Sequence, residues 1–227
     1  MRITDMMTDE YIKDLLVRMA HHSTAIEGNS LTQAETASIL LNNYIPREMQ
    51  EREYYEVKNY REAMNFLLYN DEKMSTSLIK DYHKIIMNNL RDDAGQYKVI
   101  ENIVIGADFE TVKPYQVPYV LQDWCDNYNF RIENAKTKEE KVEAILEHHI
   151  RFERIHPFGD GNGRTGRMLI VDSCIKENLV PIIIPKSEKS KYINFLATEN
   201  IKEFVKWGLE LQEAEEKRME IFFNNSK

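Results

Sequence analysis

The chain has little of what would mark it for export, zinc or a membrane. Its 227 residues include two cysteines, Cys125 and Cys174, isolated and without a C-x-x-C. That speaks against a disulfide framework or a zinc site and fits a reducing cytoplasm. No apolar run approaches the roughly 20 residues needed to cross a bilayer. The first residues, MRITDMMTDEYIKDLL, bring acids where a signal peptide needs an unbroken apolar stretch. Basic residues are also short, 30 Lys and Arg against 38 Asp and Glu, for a net charge of −8. A phosphate backbone needs a basic face, so nucleic acid is not expected as the main partner, and neither is a membrane. Glycine is scarce as well, with only eight residues.

What is present is helical spacing. With 42% hydrophobic and 30% charged residues, the chain has the composition of a globular protein able to bury a core. Ile12, Leu15, Leu16 and Met19 recur at helical intervals, predicting a first helix from about Thr8 toward Glu27, stopped by Gly28 and Asn29. Thr32 with Glu35, and Thr137 with Glu140, have the spacing of capping boxes and open two further helices. Segments 47–70 and 75–90 read as helices, as do stretches near 164–177, 187–198 and 200–223. The exception is YKVIENIVIGADFETVKP (97–114), β-branched and turning at GAD, which predicts a small hairpin. The expected class is all-α with one β-hairpin.

Half of the scarce glycine lies in one place, HPFGDGNGRTGR, residues 156–167. Between a helix ending near Ile155 and another beginning near Gly163, such a loop exposes amides at a helix N-terminus, where the dipole favours anions and glycine permits close approach. Arg164 and Arg167, at i and i+3, add two forked cations suited to a polyphosphate. Asp160 is a hard carboxylate of the kind that holds Mg²⁺ beside phosphates. His156 can accept a proton near neutral pH. The Walker pattern is absent.

These residues match the Fic signature H-x-F-x-[DE]-G-N-G-R-x-x-R at every specified position, and the chain is identified as a member of that family by resemblance. RDDAGQYK resembles the family's A-G-x-[YF]-R segment, with Lys98 where arginine is usual, and PIIIPKSEKSKYINFL resembles the stretch after the core helix. The resemblance implies a helical fold with a β-hairpin flap over the active site, and transfer of AMP from ATP to a Ser, Thr or Tyr hydroxyl of a target protein, the chain itself included. It implies His156 as general base, Asp160 as Mg²⁺ ligand, and Gly161, Asn162 and Gly163 as the phosphate-binding turn. Arg164 and Arg167 would meet the polyphosphate, with Thr165 and Gly166 between them and Arg167 on the γ-phosphate. The flap would carry Ile105, Gly106, Ala107 and Asp108 at its tip. Tyr192 and Asn200 match positions lining the adenine and ribose pocket.

A second stretch, STAIEG (23–28), resembles the family's inhibitory pattern [ST]-x-x-x-E-[GN], with Ser23 and Glu27 in its defined places. The resemblance implies that Glu27 pairs with Arg167 and displaces the γ-phosphate. The chain would then divide into an N-terminal inhibitory helix, 1–30, and a catalytic domain, 31–227. Two rivals stand beside an autoinhibited adenylyltransferase: a hydrolase in which Glu27 positions water to remove AMP from a target, and a non-catalytic nucleotide-sensing module assembling as a homo-oligomer through its first helix. The pairs His21–His22 and His148–His149 point to different helix faces and make poor metal sites, and His83 stands alone.

Overall fold

The computed structural model describes residues 3–103 and 109–226. Among these residues there are nine α-helices: α1 (Asp9–Ile26), α2 (Gln33–Asn42), α3 (Glu51–Tyr69), α4 (Thr76–Ile86), α5 (Val117–Asn134), α6 (Lys138–Ile155), α7 (Asn162–Lys176), α8 (Lys189–Thr198) and α9 (Ile201–Asn225). The all-α expectation holds. No strand forms in the described parts of 97–114, and the expected flap tip, Ile105 to Asp108, lies outside the described residues. α5 is a helix that the spacing argument did not include.

Local chemistry accounts for the helix ends. The Thr8 side chain accepts from the Tyr11 amide to start α1. Both expected capping boxes close at the start of α2 and α6, satisfying backbone amides that have no partner in the first turn. Gly28, at φ +105°, lets the chain leave α1 through a conformation that a side chain would strain.

α7 lies at the centre. Residues on all its sides are buried, including Arg164, Arg167, Met168, Ile170, Val171 and Cys174, the pattern of a helix wrapped by neighbours rather than one lying on a surface. Those neighbours are α6, α4 and α1. α1 is bound into the same core by Tyr11 and Leu15, both fully buried. It is also tied to α9, where Arg18 grips Glu215 with two hydrogen bonds of 2.7 and 2.6 Å and the Tyr11 hydroxyl donates to the same carboxylate at 2.7 Å. α1 is therefore fixed against the N-terminal end of α7 by a shared core, so its last turn can reach into whatever site α7 forms.

Candidate active site

The loop from 156 to 161 joins α6 to α7 and is braced from behind. His156 caps α6 in the left-handed region, φ +49°, a cost that persists only where surrounding structure enforces it. The Asn162 side chain accepts from the Phe158 amide at 2.9 Å and donates to the Phe158 carbonyl at 2.8 Å. Phe158 is fully buried and stacks on the His83 ring at 3.7 Å between centroids. His83 Nδ1 accepts from the Gly95 amide at 2.8 Å, so its proton is on Nε2, which donates to the Asp160 carbonyl at 2.9 Å. Burial pushes the His83 pKa down to about 4, which keeps the ring neutral and this pairing intact. Gly161, at φ +78°, sits where a Cβ would come within 2.5 Å of Met87 Sδ. The turn admits glycine alone.

His156 is held in one tautomer. Its Nδ1 lies 3.2 Å from the Glu153 carbonyl oxygen, which can only accept, so Nδ1 carries the hydrogen and Nε2 keeps a lone pair. Burial, followed by the nearby Lys98 charge, lowers the imidazole pKa and favours the neutral form.

Asp160 lies in a closed ring of four charges. Arg164 donates to Glu56 Oε1 at 2.7 Å and to Asp160 Oδ1 at 3.0 Å. Arg52 donates to the same Glu56 oxygen at 3.0 Å and to Asp160 Oδ2 at 2.8 Å. The Gly161 amide adds a bond to Oδ1 at 2.6 Å. Burial works against ionisation of Asp160, but Arg164, Arg52 and the Gly161 amide outweigh it and hold the carboxyl down to about 2. Asn29, just past α1, donates to Glu56 Oε2 at 3.0 Å.

The other arginine meets α1. Arg167, buried, donates from Nε to Ser23 Oγ at 2.9 Å, and from one terminal nitrogen to Ser23 O at 2.9 Å and Glu27 Oε1 at 2.5 Å. Tyr60 of α3 donates to Ser23 Oγ at 2.6 Å, so three helices meet at one hydroxyl. Burial opposes a charge on Glu27, yet Arg167 outweighs it and its carboxyl stays below the usual range. A Cβ on Gly163 would come within 2.4 Å of Glu27 Oε1. The Glu27 carboxylate therefore sits against the first turn of α7, where exposed amides and the helix dipole favour an anion.

The other residues expected at the site are placed differently. Thr165 is fully buried, and Gly166 faces α6, its missing Cβ leaving room for Glu153 and His149. Tyr192 is 1% exposed, its hydroxyl 2.8 Å from His149 Nε2 and its ring 5.8 Å from the Arg167 guanidinium; it is part of the core here. Asn200 caps α9 through the Glu203 amide. Three residues that sequence reasoning did not single out complete the site, Arg52, Glu56 and Tyr60, together with His83, which the sequence left standing alone. Arg52 and Glu56 read as an ordinary i,i+4 helix pair, and only the fold carries them to a loop more than a hundred residues away. Lys98, quoted above for its departure from the family pattern, is buried. It donates to Asn102 Oδ1 at 2.7 Å, Thr111 Oγ1 at 2.9 Å and Ile155 O at 3.5 Å. It thus ties residues on both sides of the undescribed segment to the end of α6.

The comparisons agree with this geometry. The model of the Fic/DOC family matches residues 73–172. A protein adenylyltransferase, fic-1 of Caenorhabditis briggsae, is 28% identical over 80% of this chain and 36% of its own length. Protein adenylyltransferase Fic of Drosophila willistoni is 27% identical over 92% of this chain and 42% of its own. The chain spans roughly two fifths of these curated relatives. The solved structure of a Fic-1 fragment from C. elegans superposes with a TM-score of 0.80 at 25% identity, over 92% of this chain and 63% of that one. From the signature loop to the superposed fold, the chain is similar to the Fic/DOC family, whose model covers residues 73–172.

Proposed function

We propose that this chain is an autoinhibited protein adenylyltransferase, moving AMP from ATP to a hydroxyl side chain of a target protein. The observation that carries this reading is the Glu27 carboxylate held by Arg167 at the N-terminus of α7, at 2.5 Å. An anion already fills an anion site there, standing in for a terminal phosphate. Glu27 and that phosphate cannot share one guanidinium, so ATP binds unproductively until Glu27 leaves. In this reading α1 and its exit, residues 1–30, act as the inhibitory helix on a catalytic part, 31–227, although one core runs through both.

The residues present suit a magnesium nucleotide. Among the described residues no three His, Cys, Asp or Glu side chains gather to hold a metal. A divalent ion would take Asp160, which is already ionised, and complete its shell from phosphate oxygens and water. Bound there, Mg²⁺ would neutralise charge on the phosphates. His156 Nε2 takes the proton of the incoming hydroxyl. The amides of Asn162 and Gly163 would face the phosphates, the Gly161 amide being held by Asp160 Oδ1, and Arg164, locked on Glu56, keeps Asp160 oriented while offering charge to the reacting centre. The relatives' names support transfer rather than simple binding. His156→Ala tests the chemistry. ATP binding should persist, while transfer to protein falls by about 10²-fold or more. Undiminished transfer would remove His156 from the mechanism.

A further inference from the structure

We infer that Arg52 guards the metal position: its guanidinium covers the outer oxygen of Asp160 and must swing away before a divalent cation carried by a nucleotide can use that carboxylate. This rests on the nucleotide reading above. The two oxygens of Asp160 are not equivalent. Oδ1 is taken by Arg164 at 3.0 Å and by the Gly161 amide at 2.6 Å. Oδ2 is held by Arg52 at 2.8 Å. A cation needs one of these lone pairs, and the two arginines differ in how readily they yield.

The Arg164 side chain is 2% exposed and locked against buried Glu56. The Arg52 side chain is 52% exposed and springs from the first turn of α3, with solvent to turn into. Its Nε bond to Glu56 at 3.0 Å can remain while its terminal nitrogen leaves Asp160, so the side chain pivots without losing its anchor. The exchange replaces one cation on Oδ2 by another and leaves the ring of Arg52, Glu56, Arg164 and Asp160 closed whenever no metal is bound. Without Arg52, Asp160 would face solvent with one oxygen open.

The test is Mn²⁺ binding in the presence of ATP, read from the loss of the electron paramagnetic resonance of free Mn²⁺ beyond that caused by ATP alone. Glu27→Gly is the common background, called wild type below because Arg52 and Asp160 are unchanged in it, and Arg52→Ala, Arg52→Lys or Asp160→Asn is added to it. Exposed ion pairs are weak, so Arg52→Ala should tighten Mn²⁺ binding by roughly two- to fivefold. Arg52→Lys should stay closer to wild type. The gain should shrink near 0.5 M salt, where the screening length drops to roughly 4 Å. Asp160→Asn should lose the site. If Arg52 were only a clip holding the loop in shape, Arg52→Ala would loosen Asp160, and Mn²⁺ binding would be unchanged or weaker. That result overturns the inference while leaving the nucleotide reading in place. If wild type and Arg52→Ala both fail to bind Mn²⁺ with ATP, the nucleotide reading fails, and the guarding role with it.

Discussion

Replacing Glu27 by glycine should release the enzyme, and the contact geometry bounds the gain. Glu27 meets Arg167 through a charge-assisted hydrogen bond of 2.5 Å, and bonds to charged groups contribute about 1.5–3 kcal/mol. Arg167 is buried, but the Glu27 side chain keeps 36% of its surface in solvent, so the lower part of that range applies. A bias of about 1.5–2.2 kcal/mol holds the active form between roughly 7% and 2%, and removing it raises transfer by roughly 10- to 40-fold. Glu27→Gln, which keeps a hydrogen bond without the charge, should fall between. The gain depends on Arg167, because the freed guanidinium orients the nucleotide. Glu27→Gly with Arg167→Ala should therefore lose most of it. The assay is the initial rate of AMP incorporation into protein at saturating Mg²⁺ and ATP, with melting curves to confirm that each variant is folded. Glu27→Gly no faster than wild type would refute the brake and leave STAIEG as a plain helix end.

Acid should destabilise the fold steeply. Burial pushes the pKa of His22, His83 and His148 down to about 4 and that of His149 to about 3. The unfolded chain protonates these groups first, near 6.5, so stability is full above that pH and falls as pH drops from about 6.5 toward 4. His83→Gln should flatten the slope by about one proton, roughly 1.4 kcal/mol per pH unit, in urea midpoints measured across that range; an unchanged slope would mean His83 is protonated in the fold. Lys98→Met removes the donor to Thr111 Oγ1 and Ile155 O, and one of the two donors to Asn102 Oδ1, which keeps the Thr111 hydroxyl. At about 1–3 kcal/mol it should lower the melting temperature by roughly 3–10 °C, and Lys98→Arg should restore most of that loss in the same melting experiment.

The fold was legible where its causes are local. Thr8, Thr32 and Thr137 mark helix starts because a hydroxyl and the amide it caps are neighbours in sequence. Gly28 marks the end of α1 for the same reason. α5 is absent from the sequence reading although Val117, Leu121, Trp124, Tyr128 and Ile132 hold helical spacing; Pro118 lies in its first turn, where proline is tolerated. The signature loop is legible because its residues are contiguous. Its supports are not. Asp160 finds Arg52, the Asp160 carbonyl finds His83, and Ser23 finds Tyr60 only after helices distant in sequence have packed around α7. Tyr192 shows the reverse limit, since an aromatic at a matching position can still be spent on the core, here against His149 and beneath Arg167.

The central claim, that this site moves the α-phosphoryl with its nucleoside, is tested by supplying Glu27→Gly with Mg²⁺ and ATP labelled either at the α- or at the γ-phosphate. The α-label should appear on protein and the γ-label should remain in solution as diphosphate, with both signals lost in Glu27→Gly with His156→Ala. Protein labelled by the γ-phosphate alone would make the chain a kinase and contradict the account.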